Sequence, residues 1–275
     1  DAGAGYEGLT PADKKISYLT ILQPTSPQVT ERIHEMAVPG NFYNTGSGEF
    51  YDGAAGVVVT IAANKQVYKR WTDRDAGGKP VGAYAVNDPV VRDSLKHAQK
   101  LGKFGKMKAA EWRNVDVETN GVKRTERQLV ETTDDLVDTR DAPAVLHLDD
   151  GRIRPVMLSF KSTHIKPYRD LNTKLDDLEV PVRRAGGDVG KQKPPQFSIR
   201  ILMRTEFNKR DKNVWYTPTF APADGGDWKR SIMTPSNPAY QAAKKLGQDW
   251  LSGAVEVDTG SERAAEGGAS EDIPF

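Results

Sequence analysis

Short runs of strand-type residues, broken every few positions by glycine, proline and asparagine, are what most limits the fold open to this sequence. Residues 16–22, with Tyr18 and Ile21, stop at Pro24, and residues 57–61 (Val-Val-Val-Thr-Ile) form a continuous apolar run suited to a buried strand. Turn residues at 44–48 and at Asp52-Gly53 punctuate the interval. Asn120-Gly121 and Asp150-Gly151 each supply the positive φ angles of a type I′ turn, so each predicts a two-stranded hairpin. A third hairpin is predicted where Phe197, Ile199, Ile201 and Met203 alternate with Ser198, Arg200, Leu202 and Arg204, before a polar turn over residues 209–213 and the strand-like residues 214–217. Helices are fewer. One is predicted from a cap at Asp88 to a stop at Gly102, with Val91, Leu95, Ala98 and Leu101 on its apolar face, and another over residues 238–251, with Tyr240, Ala243, Leu246 and Trp250 inward. Residues 181–196 predict a flexible insertion rich in glycine, proline and bases.

Many short strands with a few helices predict a mainly β protein. An OB-type antiparallel β-barrel core with flexible termini is the expected form, with a jelly roll or an immunoglobulin-like sandwich as the other arrangements this strand pattern allows. The predicted organisation is a loose N-terminal arm over residues 1–15, one domain over 16–251, and an acidic tail over 252–275.

Charge is divided unevenly along the chain. Residues 256–275 hold six acids and one base, a net of −5, while the rest holds 38 bases and 32 acids, a net of +6. A basic body with an acidic end fits a nucleic-acid contact joined to a regulatory tail. With no cysteine in the chain, disulfides, thiolate metal sites and cysteine nucleophiles are excluded. No run approaches the roughly 18 consecutive apolar residues of a membrane span and no secretory leader is evident, so a cytoplasmic protein without membrane contact is expected.

Binding a single strand needs cations for phosphates and exposed rings on which unstacked bases rest. Four segments mix the two. Residues 65–74 hold Tyr68, Lys69, Arg70, Trp71 and Arg74; residues 100–113 hold Lys103, Phe104, Lys106 and Trp112; residues 161–169 hold Lys161, Lys166 and Arg169; and the third hairpin carries Arg200 and Arg204. Tyr68, Trp71, Phe104 and Trp112 are the expected stacking rings, and the bases the expected phosphate contacts. The competing reading is that each ring is a half-buried core residue covered by an arginine stem. Tyr168 shares a helical face with Ile165, Leu171 and Leu175, which favours the core for that ring.

The chain closes on Glu-Asp-Ile-Pro-Phe, residues 271–275, after a stretch rich in glycine, alanine, serine and acids. That ending resembles the acidic tip of bacterial single-stranded-DNA-binding proteins, which implies that Asp272, Ile273, Pro274 and Phe275 recruit partner proteins of replication or recombination. The body is similar to a group of tailed-phage single-stranded-DNA-binding proteins, through Val38-Pro-Gly40, Phe42–Asn44 with Thr45, Glu49 to Gly53, Tyr68 to Trp71, and residues 158–163 leading to Arg169 and Asn172. This resemblance implies an OB-fold, sequence-independent binding of single-stranded DNA, and a role in phage DNA replication or recombination in the host-cell cytoplasm.

Catalysis is not expected. No Gly-x-x-x-x-Gly-Lys-[Ser/Thr] phosphate loop occurs, and no cofactor is implied. The carboxylate pairs Asp134/Asp135, Asp149/Asp150 and Asp176/Asp177 keep a metal-dependent nuclease as a minor alternative, and His34, His97, His147 and His164 lack ligand spacing. The main alternative is a structural protein of the virion or its scaffold.

Overall fold

The computed structural model describes residues 15–73, 80–103, 107–119, 122–183, 189–255 and 257. The N-terminal arm, Arg74, Phe104, Lys106, the Asn120-Gly121 turn and the tip Asp272, Ile273, Pro274, Phe275 lie outside the described residues. In chain order the elements are β1 (Ser17–Ile21), α1 (Pro27–Thr30), β2 (Phe42–Asn44), β3 (Phe50–Tyr51), β4 (Val57–Ile61), β5 (Lys65–Trp71), β6 (Pro80–Ala85), α2 (Pro89–Lys100), β7 (Met107–Thr119), β8 (Val122–His147), β9 (Ile153–Lys161), α3 (Ile165–Asp176), β10 (Val180–Arg183), β11 (Val189–Gln192), β12 (Ile201–Arg210), β13 (Asn213–Pro222) and α4 (Pro238–Leu251). The protein is mainly β with four helices among the described residues. The contacts group into two compact units: residues up to Lys65 with those from Asp141 onward, and Gln66–Arg140.

In the first unit the strands run in the order β13-β12-β4-β8-β9-β1-β2-β3. The path has two ends, so the sheet is open and the expected OB-type barrel is not formed. The reason is that its central strands bury both faces. Leu19, Ala144, Leu146, Val156 and Leu158 pack with Tyr168, Leu171 and Leu175 of α3, whereas the alternate residues Tyr18, Val145 and Met157 pack with Ala243 and Leu246 of α4. A sheet covered by helices on both faces needs continuous apolar strands, which Val156-Met157-Leu158 supplies. A small closed barrel fills one face only. Each of these fully buried large side chains stabilises the fold by about 1.5–3 kcal/mol. α4 starts where the Asn237 side chain accepts a bond from the Ala239 N–H, and it comes so near β4 that a Cβ on Gly247 would stand 2.5 Å from the Ala62 carbonyl oxygen.

One parallel pair, β1 with β9 (Ser17↔Val156), stands beside the antiparallel pairs β1–β2, β2–β3, β4–β8, β4–β12 and β12–β13, and the edge of β13 is capped by side chains at Tyr216. Gln23 acts as a one-residue strand there: its amide donates to the Tyr216 carbonyl (3.0 Å) and accepts from the Tyr216 N–H (2.9 Å). Such capping blocks unwanted edge pairing. Residues 181–196, expected to be a flexible insertion, contain the paired strands β10 and β11 and a 3-10 turn at Gln196–Ser198.

The second unit pairs β5 with β6 and β7 with β8, and lays α2 against β7. β7 and β8 pair antiparallel as far as Thr119↔Val122. α2 begins as predicted, with Asp88 accepting a bond from the Val90 N–H, but its buried face is Val91, Ser94 and Ala98. Leu95 and Leu101 are exposed. Ser94 takes the inward position with its hydroxyl satisfied on both sides: it accepts a bond from the Ala110 N–H of β7 (2.8 Å) and donates to the Val90 carbonyl (2.6 Å).

Candidate nucleic-acid interface

The rings and cations singled out in the second unit are largely occupied. Tyr68 is 7% exposed and packs with Val91, Ala109 and Leu136, so its ring is core and not a stacking platform. Lys69 is buried as well, and Trp71 is half-buried. Arg70 is bonded to Glu111 and Asp134, both at 2.7 Å. Burial opposes its charge, yet the two hydrogen bonds outweigh that effect and hold its pKa above the ordinary arginine range. The same bond from Arg70 pulls Glu111 below the usual carboxylate range. Lys103 is held by Glu131 at 2.8 Å. Among the described rings of the expected set, Trp112 keeps the expected character: it is 51% exposed, its indole N–H donates to Asp93 (2.9 Å), and the Arg127 guanidinium lies 5.7 Å from the ring centroid. A fixed, exposed ring beside a guanidinium is a surface on which a base can stack.

In the first unit Lys166 and Arg169 are exposed on α3, and Lys161 is half-buried at the end of β9. Arg200 is committed to Asp224. Arg204 is exposed, with its Nε donating to the Ala55 carbonyl at 3.3 Å.

Residues absent from the sequence-based set stand at the end of the β12–β13 hairpin. β12 pairs with β4 only from Ile201 to Met203, whereas its ladder with β13 continues to Arg210↔Asn213. Beyond Met203 the alternation therefore carries apolar side chains past the sheet that would cover them. Phe207 is 54% exposed, set edge-on to Tyr216 at 5.6 Å, and Val214 is 38% exposed. Lys209 shares their face, Lys212 lies in the two-residue turn, and both are exposed. Asp211 takes φ 54° in that turn, a left-handed conformation that aspartate tolerates better than most residues. The period-two pattern from Ile199 onward could have pointed to Phe207, but the early end of β4 pairing could not be seen in it.

The root of this hairpin is tied down locally. Thr205 donates its hydroxyl to the Gly40 carbonyl (2.7 Å) and its N–H to the Gly53 carbonyl (3.0 Å), while the Gly53 N–H donates to Asn41 (3.0 Å). On the outer edge of β13 the His164 Nε2 lies 3.0 Å from the Tyr216 carbonyl oxygen, so the residue preceding α3 is fastened to the hairpin. Burial pushes the His164 pKa down to about 4, against the opposing bond to Tyr216 and with help from Lys161. The ring is neutral near pH 7.

A family model described as Pam3 phage gp34-like protein matches residues 1–256. The chain belongs to that family. It is thus a phage protein, and the Pam3 phage gp34-like match runs through both compact units and stops short of most of the acidic segment. No curated protein and no solved structure matches the chain. No helix among the described residues is long and apolar enough to cross a membrane.

Proposed function

We propose that this phage protein binds single-stranded DNA without sequence coding, and that the β12–β13 hairpin and the start of α3 form its main contact. The observation that carries the reading is the exposed Phe207 ring beside Lys209 and Lys212, on a hairpin fastened through His164 to the helix that bears Lys166 and Arg169. Rings give sequence-tolerant stacking and cations follow the backbone. Trp112 with Arg127 supplies a second platform in the other unit. The similarity of residues 272–275 to the tips of bacterial single-stranded-DNA-binding proteins supports recruitment of replication or recombination proteins by the acidic segment.

The reading is of binding and not of catalysis. Asp134 is engaged by Arg70 and Asp135 by Lys108 (2.8 Å), which leaves that pair poorly placed to hold a metal for hydrolysis.

Titrating the intrinsic tryptophan fluorescence with oligo-dT and with duplex DNA at several salt concentrations tests it. The single strand is expected to bind tighter, with a log–log salt slope of about −0.7 per phosphate contacted. Phe207→Ala should weaken binding by about 1–3 kcal/mol, and Lys209→Ala with Lys212→Ala should flatten the slope by about 1.4. Equal affinity for both DNA forms, or a slope unmoved by the lysine changes, rejects the reading.

A structural role in the virion is the second reading. It is favoured by the β7–β8 ribbon, whose side chains at Arg113, Asn114, Asp116 and positions 124–128 are exposed on both faces, as suits an arm that docks on another protein. Concentration-dependent assembly without titratable DNA affinity would favour it.

A further inference from the structure

Large apolar side chains left in water carry information when they gather, since single ones are ordinary. Of the five exposed in the first unit among the described residues, four come from two segments: Ile33 (52%) and Val38 (45%) in the loop after α1, and Phe207 and Val214 at the end of the β12–β13 hairpin. Leu251, the fifth, ends α4.

The two segments are fastened side by side. Thr205, Phe207 and Tyr216 share one face of the hairpin. On that face the Thr205 hydroxyl donates to the Gly40 carbonyl, and a Cβ on Gly40 would stand 2.5 Å from the Tyr216 ring, so the end of the loop lies against the ring that Phe207 packs on. Val38 is two residues before Gly40. The loop is held by its own bonds: the Asn41 N–H donates to the Val38 carbonyl (3.2 Å), the Asn41 amide donates to the Met36 carbonyl (3.0 Å), and the exposed His34 ring is stacked on Phe50 at 5.0 Å while accepting a bond from the Met36 N–H. Both halves are ordered before a partner arrives, which lowers the entropy cost of association.

Their charges are opposite. Residues 209–212 of the hairpin hold three bases and one acid, with Lys209 on the apolar face, whereas residues 31–35 of the loop hold two acids, Glu31 and Glu35, and one base. Lys209, Lys212, Glu31 and Glu35 are all exposed. The acids repel a phosphate backbone, so a DNA strand suits the hairpin half alone. A basic apolar half beside an acidic apolar half is its own complement under a two-fold axis, which lays the hairpin of each copy on the loop of the other.

We propose that the chain forms a two-fold dimer through this surface, with Phe207 and Val214 of one copy seated on Ile33 and Val38 of the second. The dimer does not depend on the strand-binding reading; where both hold, DNA and the second copy exclude one another at Phe207.

Sedimentation velocity of the full chain over a range of concentrations, without DNA, tests the dimer apart from that reading. A monomer–dimer equilibrium is expected, with its dissociation constant raised about tenfold or more by Phe207→Ser or by Ile33→Ser. Leu251→Ser, outside the surface, should leave it unchanged. Charge reversal supplies a result that packing damage cannot imitate: Glu31→Lys with Glu35→Lys, and Lys209→Glu with Lys212→Glu, should each weaken the dimer, and the chain carrying all four should re-form it, because opposite charges meet again. Unchanged thermal melting of the variants shows that folding is intact. A chain monomeric at every concentration, a dimer indifferent to Phe207→Ser and Ile33→Ser, or a fourfold variant that associates no better than either charge-reversed pair overturns the proposal.

Discussion

Gly53→Ala is expected to destabilise the protein by about 3 kcal/mol or more, at the upper end of the range for an overpacked interior. A Cβ at this position would stand 1.9 Å from the Gly40 carbonyl oxygen and 2.5 Å from the Thr205 hydroxyl. The nearer of these is backbone, so no side-chain rotation relieves the clash. Yielding requires the chain at Gly40 to move, and Gly40 is itself confined: the Tyr216 ring lies where its own Cβ would be, at 2.5 Å. Moving either strand breaks the bonds from Thr205 to Gly40 and Gly53 that root the β12–β13 hairpin. Urea denaturation measures the loss, and on the proposed function the variant should also lose DNA affinity before it unfolds. Gly82→Ala is the control, because the nearest atoms to its Cβ are 3.5 Å away on a tyrosine ring and its backbone needs no left-handed angle. A Gly53→Ala midpoint no lower than that of Gly82→Ala would refute the steric account.

The same knot shows what the sequence could and could not disclose. Val38-Pro-Gly40 and the Glu49 to Gly53 segment stood out as motifs, yet their purpose lies in Thr205, roughly 150 residues away along the chain, and no local pattern names that partner. Local rules worked where the cause is local. Asp88 caps α2 through its own side chain. Closure of the sheet was misjudged because counting strands ignores the face each one buries. The continuous run Val156-Met157-Leu158 was the available signal, since only a sheet covered on both sides can bury it.

Site residues divide along the same line. Lys166, Arg169, Arg204 and Trp112 are exposed as the pattern suggested, whereas Arg70 and Arg200 meet acids that are distant in sequence, Asp134 and Asp224. Composition registers a cation but not whether an acid already holds it. Tyr68 was lost for a related reason: a ring beside bases has the same local sequence whether it faces solvent or Val91.

Acidification from pH 7.5 to pH 5 is expected to remove roughly 4 kcal/mol of stability through two histidines, about 2 from each. His147, 2.9 Å from the Thr60 hydroxyl, is pushed down from 6.5 to about 4 by burial and then by Arg200, and His164 reaches about 4 for the reasons given above. In the unfolded chain both rings protonate near 6.5, while in the folded chain they remain neutral until about pH 4. Between those values the unfolded state binds more protons, so stability is full above pH 6.5, falls by about 1.4 kcal/mol per ring for each pH unit below it, and levels off once the folded rings also protonate. Glu49 contributes little in this window: hydrogen bonds from Arg154 and Tyr51 hold its folded carboxyl down at about 2, so the stability it supplies is lost as pH falls below the ordinary value of 4.5. Urea midpoints at pH 7.5 and pH 5 test the expectation. His147→Gln with His164→Asn should lower stability at pH 7.5 but flatten its dependence on pH, since neither replacement titrates. A wild-type protein whose midpoint is the same at both pH values, or a double variant as acid-sensitive as the wild type, would show that these rings are not the groups that titrate.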